Sequence, residues 1–483
     1  MTRGARGTGS KNKNEFEECN IKKAILTANT DGFEADLRKA SVVEYQESVF
    51  SDTIDVSLII TSSSSGVRGK NLMEGLPLVG TEDFNLAIED ANGNVIESEL
   101  VVNKVTPIES TTQKESIMLE FTSEQFIRNE ERSAAVTKRY DGKISENMRK
   151  ILIDNLKVDE DKIEIEETNN NYNFIGNTRK PFYILNWLCK KSIPSKDGKR
   201  GESAGYIFFQ NADGFHCVSI DKLFGQDHSR DGGGAGSYIQ AGQPDTPLGY
   251  DGRIINLTAD NRFIANQKLR MGAYKTRLVI FDPFNCKYDV IEQDAYDTEE
   301  GTTHAGKKLP IINKKFAGEA TRTTYMLRDT GTLPTGDVEE QVKKNEEESF
   351  EVESILNQSI RRYNQFSIGS IEVDIGADFM IRAGQTIFVD TSSSSNEQDQ
   401  ETNKEKRPGL KPLGSPCSLQ VPSNQSLLVE TWPDIIYLAL RLQPNHNFGA
   451  QVTNYFDRLS FANHIAFTQR VDPLPIHIHK ATW

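Results

Sequence analysis

The residues with the most chemical potential in this sequence are scattered, and each group competes with a plainer role. His477-Ile-His479 places two imidazoles on one face of an extended segment, a spacing that can hold zinc. The neighbourhood adds only Asp472 and no cysteine, so incidental histidines explain it and no metal is assigned. In His216-Cys217 the two side chains point to opposite faces of a strand, which predicts a packed thiol and a surface imidazole. Cys189 lies among Phe182, Ile184, Leu185 and Leu188 at helical spacing and reads as a core thiol. Gly232-Gly-Gly234 and Gly236 form a glycine-rich run, but a P-loop also needs a closing Gly-Lys-Ser/Thr between strand and helix. This run lacks both and reads as a loop. No Gly-x-Ser-x-Gly element is present, and the 70 acidic residues include no convergent carboxylate pair of the kind glycoside hydrolysis uses. The sequence thus assigns no catalytic, metal-binding or cofactor-binding residue. A scaffold is expected rather than an enzyme.

The elements that would position any site are bounded first by composition. A chain of 483 residues exceeds one ordinary core, so roughly two to four domains are expected. The formal net charge of -14 argues against non-specific nucleic-acid binding, which needs clustered Lys and Arg. Arg3, Arg6, Lys11 and Lys13 sit in a short Gly/Ser-rich arm over 1–14 that is expected to be disordered. The five cysteines (Cys19, Cys189, Cys217, Cys286, Cys417) are far apart and make no CxxC pair, which fits free, mostly buried thiols. No secretory leader pattern and no apolar run near the ~18 residues of a membrane span appear, so a soluble chain made in a cytoplasm is expected, without membrane insertion.

Along the chain, Ile54, Val56, Leu58 and Ile60 alternate with polar neighbours, as do Phe84, Leu86 and Ile88, and both runs read as half-buried strands. Segments 41–50, 95–99, 100–105 and 117–121 complete about six strands, reversed at Ala91-Asn-Gly-Asn94. Ser62 to Gly66 reads as a polar loop. A helix over 144–157 carries Ile144, Met148, Ile151, Leu152 and Leu156 on one face, with Ser145 as its cap. A second helix over 182–189 and a hairpin over 206–220, turned by Asn211-Ala-Asp-Gly214, pack with it into an α/β domain spanning 123–224. Residues 225–252 read as a Gly-rich linker. Segments 267–282 and 288–293 read as strands, 330–353 as mobile, and 354–366 as a helix exposing Arg361-Arg362. A β-meander follows over 367–390, turning at Arg382-Ala-Gly384. Within 391–483 a polar Ser-rich loop leads into a C-terminal extension in which Trp432 to Leu442 fits a strand or a short helix.

The order of these segments resembles the central baseplate hub proteins of contractile-tailed (myovirus) bacteriophages. Pro77-Leu-Val-Gly80 with Glu82 matches that family's turn into a barrel strand, and Ser123 to Arg139, followed by Tyr140-Asp-Gly142, matches its short helix and crossover. The resemblance runs from about Glu15 to Asp390 and leaves the last ~80 residues outside the pattern. It implies a β-rich α+β fold: two tail-tube-like β-barrel domains, over 15–122 and 253–390, with the helix-hairpin α/β domain between them. Ile54, Val56, Leu58, Phe84, Leu86, Ile371, Val373, Ile387 and Val389 are expected to line those barrels.

The function implied is structural. A homotrimeric hub would act as a symmetry adapter between a threefold cell-puncturing spike and a sixfold tail tube. Its partners would be the spike or lysozyme protein, the tube protein and baseplate wedge proteins, within the virion. Two alternatives stay open: a related contractile-injection spike component, and a β-protein acting on, or binding sugars of, a cell envelope.

Overall fold

Alternating apolar residues build the first β region in the computed structural model of the chain. The structure describes residues 20–63, 75, 78–110, 114–227, 229, 234–240, 252–260, 265–295, 313, 316, 322–327, 352–366, 370–390, 418–419, 424–432 and 435–442, with breaks at 31, 91, 197–198, 201–202 and 283–285. The first strands are β1 (Asn20–Thr27), β2 (Glu34–Asp36), β3 (Val42–Ser48), β4 (Asp55–Ser63), β5 (Asp83–Glu89), β6 (Val95–Ser110) and β7 (Lys114–Ser123). They pair antiparallel in the order β2-β1-β5-β6-β7-β4-β3. Val56, Leu58, Phe84, Leu86, Leu119 and Phe121 turn inward, and the Phe84 and Phe121 rings stack with centroids 4.0 Å apart.

This region departs from the sequence reading in three places. β1 and β2 were not expected, because a bulge between Ile21 and Lys23 breaks the alternation of β1. β4 continues through Ser62 and Ser63, which pair with Glu115 and Lys114 instead of starting a loop. β6 is one strand across both expected segments, and Pro107 sits at one of its register shifts, where a missing N–H costs least.

Next come α1 (Glu124–Arg128), β8 (Arg139–Tyr140), α2 (Ile144–Asp154), β9 (Ile163–Ile165), β10 (Phe174–Ile175) and α3 (Pro181–Cys189). They are followed by β11 (Ser195–Lys196), β12 (Lys199–Arg200), β13 (Tyr206–Asn211), β14 (Gly214–Ser219) and α4 (Ile220–Phe224). Here α2, α3 and the β13–β14 hairpin share one apolar core, to which β9 adds a parallel strand beside β14. α2 ends at Asp154 rather than 157, and Lys157 takes the left-handed φ of 58° that turns the chain away. Ser145 does not cap it. The cap position is Lys143, and Ser145 exchanges hydrogen bonds with Thr168, whose Oγ1 accepts the Ser145 N–H. Neighbouring chain thus satisfies the first-turn donors. α3 starts at Pro181, a favoured first helical residue, and Asn129 Oδ1 accepts the next N–H from Phe182.

The remaining elements are β15 (Gly236–Gln240), β16 (Arg253–Asp260), α5 (Ala265–Met271), β17 (Lys275–Asp282), β18 (Lys287–Asp294), β19 (Arg322–Leu327) and α6 (Val352–Phe366). Then come β20 (Ser370–Ile375), β21 (Ile387–Asp390), β22 (Ser418–Leu419), β23 (Asn424–Trp432) and β24 (Ile435–Leu442). Within the expected linker, β15 forms a strand between β16 and β21, parallel to both. The expected meander is therefore not one: β20 and β21 are separated by β16 and β15. Gln267 to Met271 is helical, and the strand begins only at Lys275. Trp432 closes β23 and Ile435 to Leu442 form β24, which pairs antiparallel with it. That hairpin joins β3 to β20, so both β regions run through one 14-stranded ladder.

They also share one continuous apolar core. It joins Val56, Leu58, Phe84 and Leu86 to Ala235, Tyr238, Ile254, Val373, Ile375, Phe379, Ile387 and Val389. Of the residues expected to line barrels, Ile54 also belongs to this core, while the side chain of Ile371 lies outside those described. Arg361 and Arg362 are buried, not exposed. Arg362 pairs with Asp221 at 2.7 Å, and its guanidinium lies over the Phe224 ring, which compensates its burial.

Candidate functional site

The β regions and the α/β unit converge on one stretch, residues 377–385 (ADFMIRAGQ), between β20 and β21. Its backbone is held by carboxylates from elsewhere. In β3, the period that turns Val43 and Tyr45 inward also turns Glu47 inward, leaving it 2% exposed. Glu47 Oε1 accepts the Ala212 N–H at 2.7 Å and the Tyr45 hydroxyl at 2.9 Å, and Oε2 accepts the Ala383 N–H at 2.9 Å. One carboxylate therefore ties β3, the β13–β14 turn and the 377–385 stretch together. Burial pushes the Glu47 carboxyl above its ordinary range, and Arg382 and the backbone donors oppose that rise. Burial also pushes the Tyr45 hydroxyl well up, with Glu47 adding to the effect.

A second carboxylate acts at the other end. Asp90 closes the β5–β6 turn by accepting the N–H groups of Asn92 and Asn94, and its Oδ2 accepts the Phe379 N–H at 3.1 Å. The Tyr238 hydroxyl of β15 donates to Asp378 Oδ2 at 3.0 Å. From the α/β side, Asn211 Nδ2 donates to the Ala383 carbonyl and Gln226 Nε2 to that of Gly384. Arg382 Nε meets Asp213 Oδ1 at 3.3 Å. Burial works against the Arg382 charge, but Glu47, Asp213 and Tyr45 outweigh it and hold the guanidinium above its usual range. Gly384 has φ of 89° and lies so close to Phe209 that a Cβ would sit 2.8 Å from the ring. A side chain is excluded there on two counts.

The turn singled out by the resemblance has a parallel logic. Gly80 and Thr81 adopt φ of 109° and 65°, and buried Glu82 accepts the Val79 and Gly80 N–H groups. Gly80 allows the left-handed turn and Glu82 satisfies it, while Pro77 lies outside the described residues.

The other sequence candidates do not converge. Cys189 and Cys217 are buried in the α/β core, and burial, with Cys217 beside it, pushes the Cys189 thiol up. Cys286 is exposed, whereas Cys19, Cys417, Gly232, Asp472, His477 and His479 lie outside the described residues. Gly236 opens β15. His216 is not a surface residue: its side chain is 12% exposed and bridges Glu164 and Asn211. Among the described residues no three His, Cys, Asp or Glu side chains group as metal ligands, and no helix is long and apolar enough to cross a membrane. The sequence reading missed Glu47, although the inward register of Val43 and Tyr45 was a signal for it.

No known protein family matches the sequence. No curated protein matches it either. Among solved structures, the chain is similar to a 43 kDa tail protein of prophage MuSo2 from Shewanella oneidensis, at 10% identity and a TM-score of 0.46, over 87% of this chain and 97% of that one. A tail protein from Neisseria meningitidis MC58 matches at 8% identity and a TM-score of 0.41, over 91% and 99%. The E. coli c3393 protein, a component of the type VI secretion system, matches at 9% identity and a TM-score of 0.36, over 89% and 78%.

Proposed function

We propose that this chain is a non-enzymatic structural component of a contractile tail, the central hub of its baseplate. As a homotrimer it would adapt a threefold spike to a sixfold tube. Two β regions per chain give three copies six similar units on one side and threefold contacts on the other. Such an adapter works only if its two units keep a fixed relation under load. The observation that carries the reading is that both β regions share one core and one ladder, with residues 377–385 bolted between them by Glu47 and Asp90. In this reading each region is a tube-like barrel unit, and unpaired strand edges supply the contacts between copies. The spike, tube and wedge proteins are the partners, and the virion baseplate is the location, with assembly in the host cytoplasm.

The test is mass in solution by light scattering, with negative-stain images, alone and with the spike co-expressed. The expected result is three times the 54.2 kDa chain mass and a ring with a central channel. A monomer in both preparations removes the hub reading, and loss of peptidoglycan on incubation with the purified chain removes its non-enzymatic part.

A further inference from the structure

The junction contains one imidazole whose two nitrogens both face acceptors. His216, in β14, has Nδ1 3.1 Å from Glu164 Oε2 and Nε2 2.8 Å from Asn211 Oδ1. The orientation of the Asn211 amide is fixed independently. Its Nδ2 donates to the Ala383 carbonyl, and its Oδ1 accepts the Asp213 N–H at 2.9 Å. Flipping the amide would set donor against donor and acceptor against acceptor. Glu164 remains an ionised acceptor because its other oxygen, Oε1, accepts from the Lys222 ammonium at 2.6 Å. Both contacts of the ring therefore exist together only when each nitrogen carries a proton.

We propose that His216 is a proton-dependent latch that carries its protonation state through Asn211 to the 377–385 stretch. This goes beyond the hub reading and does not depend on it. The charged groups around the latch are Glu164 on β9, Lys222 on α4, Asp213 in the hairpin turn, and Arg382 and Glu47 at the junction. The ring stacks on Phe209, centroids 5.0 Å apart, and Phe209 lies under Gly384, so the ring has little room to turn away. Of its two protons, the one at Nδ1 faces a charged carboxylate and is held more firmly than the one at Nε2, which faces a neutral amide. As the pH rises the Nε2 proton leaves to solvent, and its lone pair then faces that of Asn211 Oδ1. The amide must shift, and the Ala383 carbonyl loses its donor.

The experiment is a long-range 1H–15N correlation titration of the full chain labelled with 15N-histidine, from pH 5 to 9, with His216 assigned from His216→Gln. Amide exchange is followed in parallel. Both His216 nitrogens are expected to be protonated at the acid end, and the neutral ring should be the Nδ1–H tautomer, the opposite of the usual preference of free imidazole. Exchange in 377–385, corrected for its intrinsic pH dependence, should rise about fivefold across the transition, the loss of one hydrogen bond. Asn211→Ala should abolish that rise while His216 still titrates. An Nε2–H neutral ring, or exchange in 377–385 that only follows the intrinsic rate, overturns the proposal. The exchange reading comes from the wild-type chain alone and stands even if the variants fold poorly.

Discussion

The first β region and the strands after residue 234 use similar alternating segments but are held together differently. In β1 to β7 each strand finds an antiparallel neighbour within the region, and short turns such as the one at Asp90 set the register. The later region is assembled from a distance. β15 lies between β16 and β21, parallel to both, and the stretch leading into β21 is held by Glu47 of β3 and Asp90 of the β5–β6 turn. A parallel pair cannot be closed by a tight turn, so its geometry depends on such long-range ties. The comparison teaches that the first region can specify itself, whereas the second is specified by the first.

The sharpest way to break this comparison is Glu47→Ala. It strips an acceptor from Tyr45, Ala212 and Ala383 at once. A loss of about 3–5 kcal/mol is expected, as for other buried charged groups whose partners are stranded, measured as a shift in urea midpoint. Limited proteolysis should then cut first near 377–385, while β4 and β7 stay protected. A loss below about 1 kcal/mol would mean that water replaces the carboxylate and that the junction does not depend on it.

Gly384→Ala sharpens the comparison from the packing side. The positive φ and the 2.8 Å approach to Phe209 both resist a Cβ, so a cost of about 1–3 kcal/mol is expected in the same denaturation experiment. The smallest effect concerns the α/β unit alone. Glu164 has a folded value near 2, below the ordinary 4.5, owing first to His216 and then to Lys222. A lowered carboxyl stabilises the fold above its unfolded value, and that contribution is lost as the pH falls from about 4.5 through 2. Between pH 5 and pH 2.5 the wild-type midpoint should therefore fall further than that of Glu164→Gln. The difference should be modest, because the Glu164 side chain is 52% exposed and solvent screens it.

The same division governs what the sequence could reveal. β4, β5 and α3 were legible because one periodicity covers each, and Phe84, Leu86, Val56 and Leu58 sit where that periodicity puts them. β1 was hidden by its bulge, and β15 by the glycines and prolines around it. Arg361 and Arg362 were misread because charge alone suggests exposure, whereas Arg362 finds Asp221 and Phe224 only after the chain folds. The junction was half visible. An inward Glu47 could be read from β3, but nothing local to it names Ala212 or Ala383 as its partners. Ser145 shows the same limit, since its partner Thr168 comes from another segment.

Native-state hydrogen exchange of the wild-type chain tests the central claim most directly, because it reads the opening free energy of each segment separately. If the two β regions form one body, residues 377–385 and strand β21 should open together with β4 and β7 as denaturant is added. If 377–385 and β21 exchange orders of magnitude faster while β4 and β7 remain protected, the regions are independent units, and a chain built that way could not serve as a rigid adapter.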